Sequence, residues 1–93
     1  MNSQLGRTLQ EAVTTDSPDN VIASAKRFFE RRNSIYSAYL EKEGQGWVTF
    51  RGQGGEEVVI GTEKSDAGTR VSGSTYLFDQ QVARFLSTLA PAS

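Results

Sequence analysis

The sequence predicts an α+β domain: a four-stranded antiparallel meander with two helices laid on one face of it. Two observations carry that expectation. Between Ile35 and Leu77 lie four apolar-rich runs separated by three glycine-containing breaks, and two amphipathic stripes flank them, over residues 18–32 and 80–89. Strands joined by loops this short are antiparallel neighbours, because parallel pairing needs a crossover of about a dozen residues or more. The simplest strand order is therefore 1-2-3-4.

At the N-terminus, Leu5, Leu9, Ala12 and Val13 fall at helical spacing and predict a short additional helix over residues 3–13. Gly6 and the Thr14-Thr15 pair work against it, and the alternative is a partly ordered segment over residues 1–16. The next helix, 18–32, is better marked. Ser17 suits the N-cap, Pro18 the first helical position, and Asp19 complements the helix dipole. Val21, Ile22, Ala25, Phe28 and Phe29 form its apolar stripe, and Asn33 suits its end.

The first strand, 36–42, alternates Tyr36, Ala38 and Leu40 with Ser37, Tyr39 and Glu41. After Gly44-Gln45-Gly46, the second strand, 47–51, sets Val48 and Phe50 against Trp47, Thr49 and Arg51. Gly52-Gln53-Gly54-Gly55 marks another hairpin. The third strand, 56–63, has the continuous apolar centre Val58-Val59-Ile60, whose core side periodicity alone does not choose. Ser65-Asp66-Ala67-Gly68 reads as a turn before the fourth strand, 69–77. Helix 80–89 follows, with Asp79 as expected N-cap and Phe78 as a staple. Its stripe is Val82, Phe85, Leu86 and Leu89, and Pro91 prevents extension.

Composition narrows the function classes. The 93 residues suit one domain, and a chain this short has a thin stability margin that self-association would widen. A formal net charge of −1 lacks the basic excess that drives general nucleic-acid binding through counterion release. With no cysteine and no histidine, thiolate chemistry is absent, zinc loses its commonest ligands, and acid–base catalysis near neutral pH loses its usual residue. No cofactor, metal or catalytic residue is expected, and the chain does not read as an enzyme. The first residues carry no apolar secretory core and no run has membrane-spanning length, so a soluble, cytoplasmic protein is the expectation.

The motifs that invite chemistry have plainer explanations. Arg51-Gly52-Gln53-Gly54-Gly55 lacks the Lys-Ser/Thr of a phosphate loop and is not followed by a helix, which favours a hairpin turn. The basic run Lys26-Arg27-Phe28-Phe29-Glu30-Arg31-Arg32 places its cations in the last turns of a helix and its phenylalanines in the core stripe. Glu56-Glu57 and Glu41 with Glu43 read as solvated strand ends rather than paired catalytic or cation-binding carboxylates.

The informative feature is the sheet's second face. Strand alternation assigns Tyr36, Ala38, Leu40, Val48, Phe50, Val58, Ile60, Val71 and Leu77 to the core. It leaves Ser37, Tyr39, Trp47, Thr49, Arg51, Val59, Arg70, Ser72 and Tyr76 opposite, with Ile35 at the edge. Within that set Tyr39, Trp47, Thr49, Arg51, Val59, Arg70 and Tyr76 form the candidate interaction face, rich in aromatics and arginine as contact surfaces are. The favoured expectation is an interaction or structural domain that forms a homodimer through its sheet or binds an unidentified protein partner. A single-stranded nucleic acid stacking on Tyr39 and Trp47 beside Arg51 is the alternative, and a small apolar ligand between sheet and helices is a third. A structural explanation competes with all three: the N-terminal helix lying over this face as a cover.

Overall fold

The computed structural model describes residues 7–31, 38–52 and 54–91. In chain order the elements are β1 (Arg7–Thr14), α1 (Pro18–Arg31), β2 (Ala38–Gly44), β3 (Trp47–Gly52), β4 (Glu57–Ser65), β5 (Gly68–Tyr76) and α2 (Asp79–Ser87). The strands form one five-stranded sheet in the order β1-β5-β4-β3-β2, and every neighbouring pair is antiparallel. The meander expected from the glycine breaks is present as β2 to β5.

The fifth strand corrects the sequence reading. Residues 7–14 are not helical. They pair with the outer edge of β5 in an unbroken register from Arg7↔Tyr76 to Thr14↔Thr69. A helix here would have turned Leu9 and Val13 inward together, whereas the strand turns both to the open side. The last meander strand otherwise leaves a row of backbone donors and acceptors unpaired, and an adjacent strand satisfies them. Thr8, Val13 and Thr14 are β-branched and fit a pleated surface well. The segment therefore widens the sheet instead of covering it; residues 3–6 of the expected helix lie outside the described residues.

Both helices lie on one side. α1 starts as its sequence implies: Asn20 N donates to Ser17 Oγ at 3.1 Å and Val21 N to Ser17 O at 2.9 Å, which makes Ser17 the N-cap. Its stripe of Val21, Ala25, Phe28 and Phe29 is buried against Val48, Phe50, Val58 and Ile60. α2 brings Val82 and Phe85 into the same cluster over β5 and β1. Four phenylalanines join the two helices to the sheet. Phe29 sits among the other three, with ring centroids 5.0 Å from Phe28, 5.2 Å from Phe50 and 5.5 Å from Phe85, spacings at which tilted rings attract.

The junction of β5 and α2 differs from expectation. Leu77, assigned to the core by strand alternation, is 56% exposed, and Phe78 is buried in its place. The cause is a left-handed backbone at Leu77, φ 80°, which breaks the alternation after Tyr76 and swings the next residue inward. Thr75 Oγ1 fixes this turn, donating to Glu57 O at 2.7 Å and accepting the Phe78 amide at 3.2 Å. Asp79 is not the N-cap: Phe78 occupies that position without a side-chain cap bond. Asp79 instead ties α2 to β1, since Thr8 Oγ1 donates to Asp79 Oδ1 at 2.7 Å and Gln10 Nε2 to Asp79 O at 3.0 Å. The expected core residue Tyr36 and the expected helix end at Asn33 lie outside the described residues.

The C-terminal tail returns to the end of β1. Thr14, fully buried, donates from Oγ1 to Ala90 O at 2.5 Å, and the Thr14 backbone forms an antiparallel bridge with Pro91. Thr14 is thus paired on both sides, by Thr69 and by Pro91.

Candidate functional site

The register fixes how side chains line up across the sheet. Directly opposed residues share a face, so the side away from the helices carries four rows. One runs Tyr39, Arg51, Glu57, Tyr76, and the next Lys42, Thr49, Val59, Ser74, Leu9. The third runs Gly44, Trp47, Gly61, Ser72, Glu11, and the last is Glu63, Arg70, Val13. Tyr39, Trp47, Thr49, Arg51, Val59, Arg70 and Tyr76 all lie in these rows. The apolar centre of β4, undecided from sequence, resolves with Val58 and Ile60 buried and Val59 on the open side. Ser37 and Ile35 lie outside the described residues.

Among the described residues no helix or strand lies over this face. Tyr39 is 55% exposed, Tyr76 42% and Trp47 37%. Strand alternation alone did not identify Leu9 and Val13 as part of it. Leu9 is 64% exposed, and with Val13 it extends the apolar character to the β1 edge. Leu9, Ala12 and Val13 keep helical spacing in the sequence, and Glu11 interrupts any alternation between Leu9 and Val13, so the run carries no period-two signal that would have marked it as a strand. The middle of the face is built from small groups: Gly61, Ser72, Ser74, Thr49 and Val59. Larger side chains stand at its margins, Trp47 and Tyr39 towards β2, Leu9 and Val13 along β1.

Trp47 is held in place by a glycine. A methyl group at Gly44, its cross-strand partner, would fall inside the indole ring, so the ring rests directly on the β2 backbone. Arg51 is held by charge. Its Nε donates to Glu41 Oε2 at 2.9 Å, and its Nη2 lies 3.6 Å from Glu57 Oε2. The Glu41 hydrogen bond and charge, with Glu57 adding to them, push the guanidinium above its ordinary pKa. Glu41 reaches Arg51 because β2 is irregular between Leu40 and Lys42, an extra residue that bends the edge strand.

The remaining motifs have local partners. In the glycine-rich turn, Gly54 N donates to Glu56 Oε1 at 2.9 Å, so the loop's own carboxylate takes the donor that a phosphate would need. In the basic run, Lys26 pairs with Glu43 at 2.7 Å, Arg27 Nη2 donates to Ser24 Oγ at 3.2 Å, and Phe28 and Phe29 are core residues. Glu41, Glu43, Glu56 and Glu57 each have such a partner, and no group of acidic residues among those described is placed to hold a metal ion. Between sheet and helices Phe28, Phe29, Phe50 and Phe85 pack ring against ring. Two surface clefts are lined by Ser24, Arg27, Phe28 and Thr88 and by Ser17–Asp19 with Gly46 and Thr62.

Fold and face together define a class: a two-layer α+β protein with helices on one side of an antiparallel sheet and an open face on the other. No helix among the described residues is long and apolar enough to cross a membrane. Comparison with protein-family models, curated proteins and solved structures finds no match for this chain.

Proposed function

We propose that this is a non-catalytic interaction domain that works by associating with a second copy of itself through its sheet. One observation carries the reading: five strands present a face on which Leu9, Val13, Tyr39, Trp47 and Tyr76 are all exposed. Single apolar residues on a surface are ordinary, but five on one sheet face that no described helix or strand covers, with polar neighbours, are what a contact surface carries. Its charges favour a mixed, self-complementary partner over a uniformly charged one, because Glu11, Glu57 and Glu63 share the face with Arg51 and Arg70. The same balance weighs against a nucleic-acid strand. Arg51, the cation expected beside the stacking aromatics, is occupied by two carboxylates of its own sheet.

Light scattering across a concentration series tests the proposal. A mass that climbs from one chain towards two is expected, and a mass that stays at one chain at every concentration contradicts it. Emission of Trp47, the sole tryptophan, reports separately on whether the β2 side of the face is covered in the process.

A further inference from the structure

The two edges of the sheet are built differently. β2 has a bulge at its middle and the consecutive charges Glu41-Lys42-Glu43, devices that discourage a further strand from pairing. β1 has neither. Its eight residues pair with β5 without a register shift, it contains no proline or lysine, and its most exposed apolar side chain, Leu9, stands beside the outer edge. The strand is also pinned from behind by the bonds of Thr8 and Gln10 to Asp79, so its outer backbone groups are fixed in position before any partner arrives. Among the described residues one end of this edge is closed, where Pro91 bridges Thr14.

We propose that two copies pair antiparallel through their β1 edges, with Leu9 on the two-fold axis, to make one continuous sheet. This rests on the self-association proposed above and specifies its geometry. A two-fold axis normal to the sheet keeps each face continuous, so odd-numbered residues of β1 meet odd-numbered residues of the copy. Three axis positions near the middle of the strand compete. Centring on Glu11 sets the two Glu11 carboxylates against each other and brings Thr8 against Thr14, where Pro91 already sits. Centring on Gln10 sets Leu9 opposite Glu11 and Arg7 opposite Val13, mismatching apolar and charged positions twice over. Centring on Leu9 sets Leu9 opposite Leu9, Thr8 opposite Gln10, and Arg7 opposite Glu11, giving two opposite-charge pairs, and none of these pairs involves Thr14 or Pro91. Opposite charges facing each other stabilise a ladder and like charges weaken it, which selects the third register. The open faces of the two copies then merge, with the Leu9 pair at the seam.

The absence of native cysteine allows a direct test by oxidative cross-linking of the full chain carrying Leu9→Cys, Glu11→Cys or Val13→Cys, each an exposed position. Facing residues of an antiparallel pair lie about 4.5–5.5 Å apart at Cα, within disulfide reach. In the Leu9-centred register the two residues 11 are displaced along the strands by about 13 Å. Leu9→Cys is therefore expected to link into dimers at least about tenfold faster than the other two, which are out of disulfide reach. Faster linking at Glu11→Cys overturns the register. A chain that is dimeric by light scattering yet links at none of the three positions overturns edge pairing and leaves sheet-mediated association standing; a strictly monomeric chain overturns both. As a second measure, Glu11→Lys raises the dimer dissociation constant by about tenfold, and adding Arg7→Glu restores it. Failure of that charge swap to restore association also overturns the register.

Discussion

Gly73 shows how closely single residues control the packing here. It lies on the core face of β5 beneath α2, and a Cβ at this position would come within 2.6 Å of Val82 Cγ1 and 3.5 Å of Ile60 Cδ1. The helix rests on the sheet through a missing side chain. Gly73→Ala is therefore expected to destabilise the fold by about 1–3 kcal/mol, the usual range for overpacking a core, as read by chemical denaturation. Gly73→Ala combined with Val82→Ala should recover part of that loss. The same principle holds on the open face with a different readout. Gly44→Ala drives a methyl group into the Trp47 indole at an exposed edge, where the ring has room to move away. A shift of Trp47 emission towards that of free tryptophan is expected with little change in the unfolding midpoint. A large loss of stability there would mean that the indole is part of the structural core and not a surface group seated on glycine.

At the scale of elements, legibility in the sequence followed from where the apolar residues point. The meander was readable because Val48, Phe50, Val58, Ile60 and Val71 face a buried layer, and glycine breaks bound each run. α1 was readable at its start because its cap is local: Ser17 bonds to Asn20, three residues away. Removing that bond with Ser17→Ala is expected to cost about 0.5–2 kcal/mol, measurable as a lowered unfolding midpoint. β1 was not readable as a strand. Its apolar residues Leu9 and Val13 face outward, and what holds it is backbone pairing to a strand some sixty residues later, a non-local contact that periodicity does not report. The start of α2 is illegible in the sequence for a related reason. Asp79 has the chemistry of a cap, but Leu77 enters the left-handed region and shifts the frame, and Asp79 is used by Thr8 instead. On the face itself, alternation identified the positions of Tyr39, Trp47, Arg51 and Tyr76. It did not report that Arg51 is neutralised by Glu41, because that contact depends on a bulge and on pairing between strands.

For the whole molecule, the arrangement is asymmetric in a way that bears on function. One side of the sheet is closed by two helices whose aromatic stripes meet at Phe29, and the other is left with aromatic and aliphatic groups in solvent. One edge is bulged and charged, and the other is straight and ends at a proline that the C-terminal tail supplies. A small domain gains from burying more surface, and this is an energetic ground for the association proposed above. The most direct measurement is sedimentation equilibrium of the natural chain beside Leu9→Lys, a substitution at a 64% exposed position that leaves the core untouched. Self-association through the β1 edge predicts a monomer–dimer equilibrium for the natural chain and a shift to monomer for Leu9→Lys, with both proteins equally folded by circular dichroism. Two monomers, or two dimers of equal affinity, would contradict it.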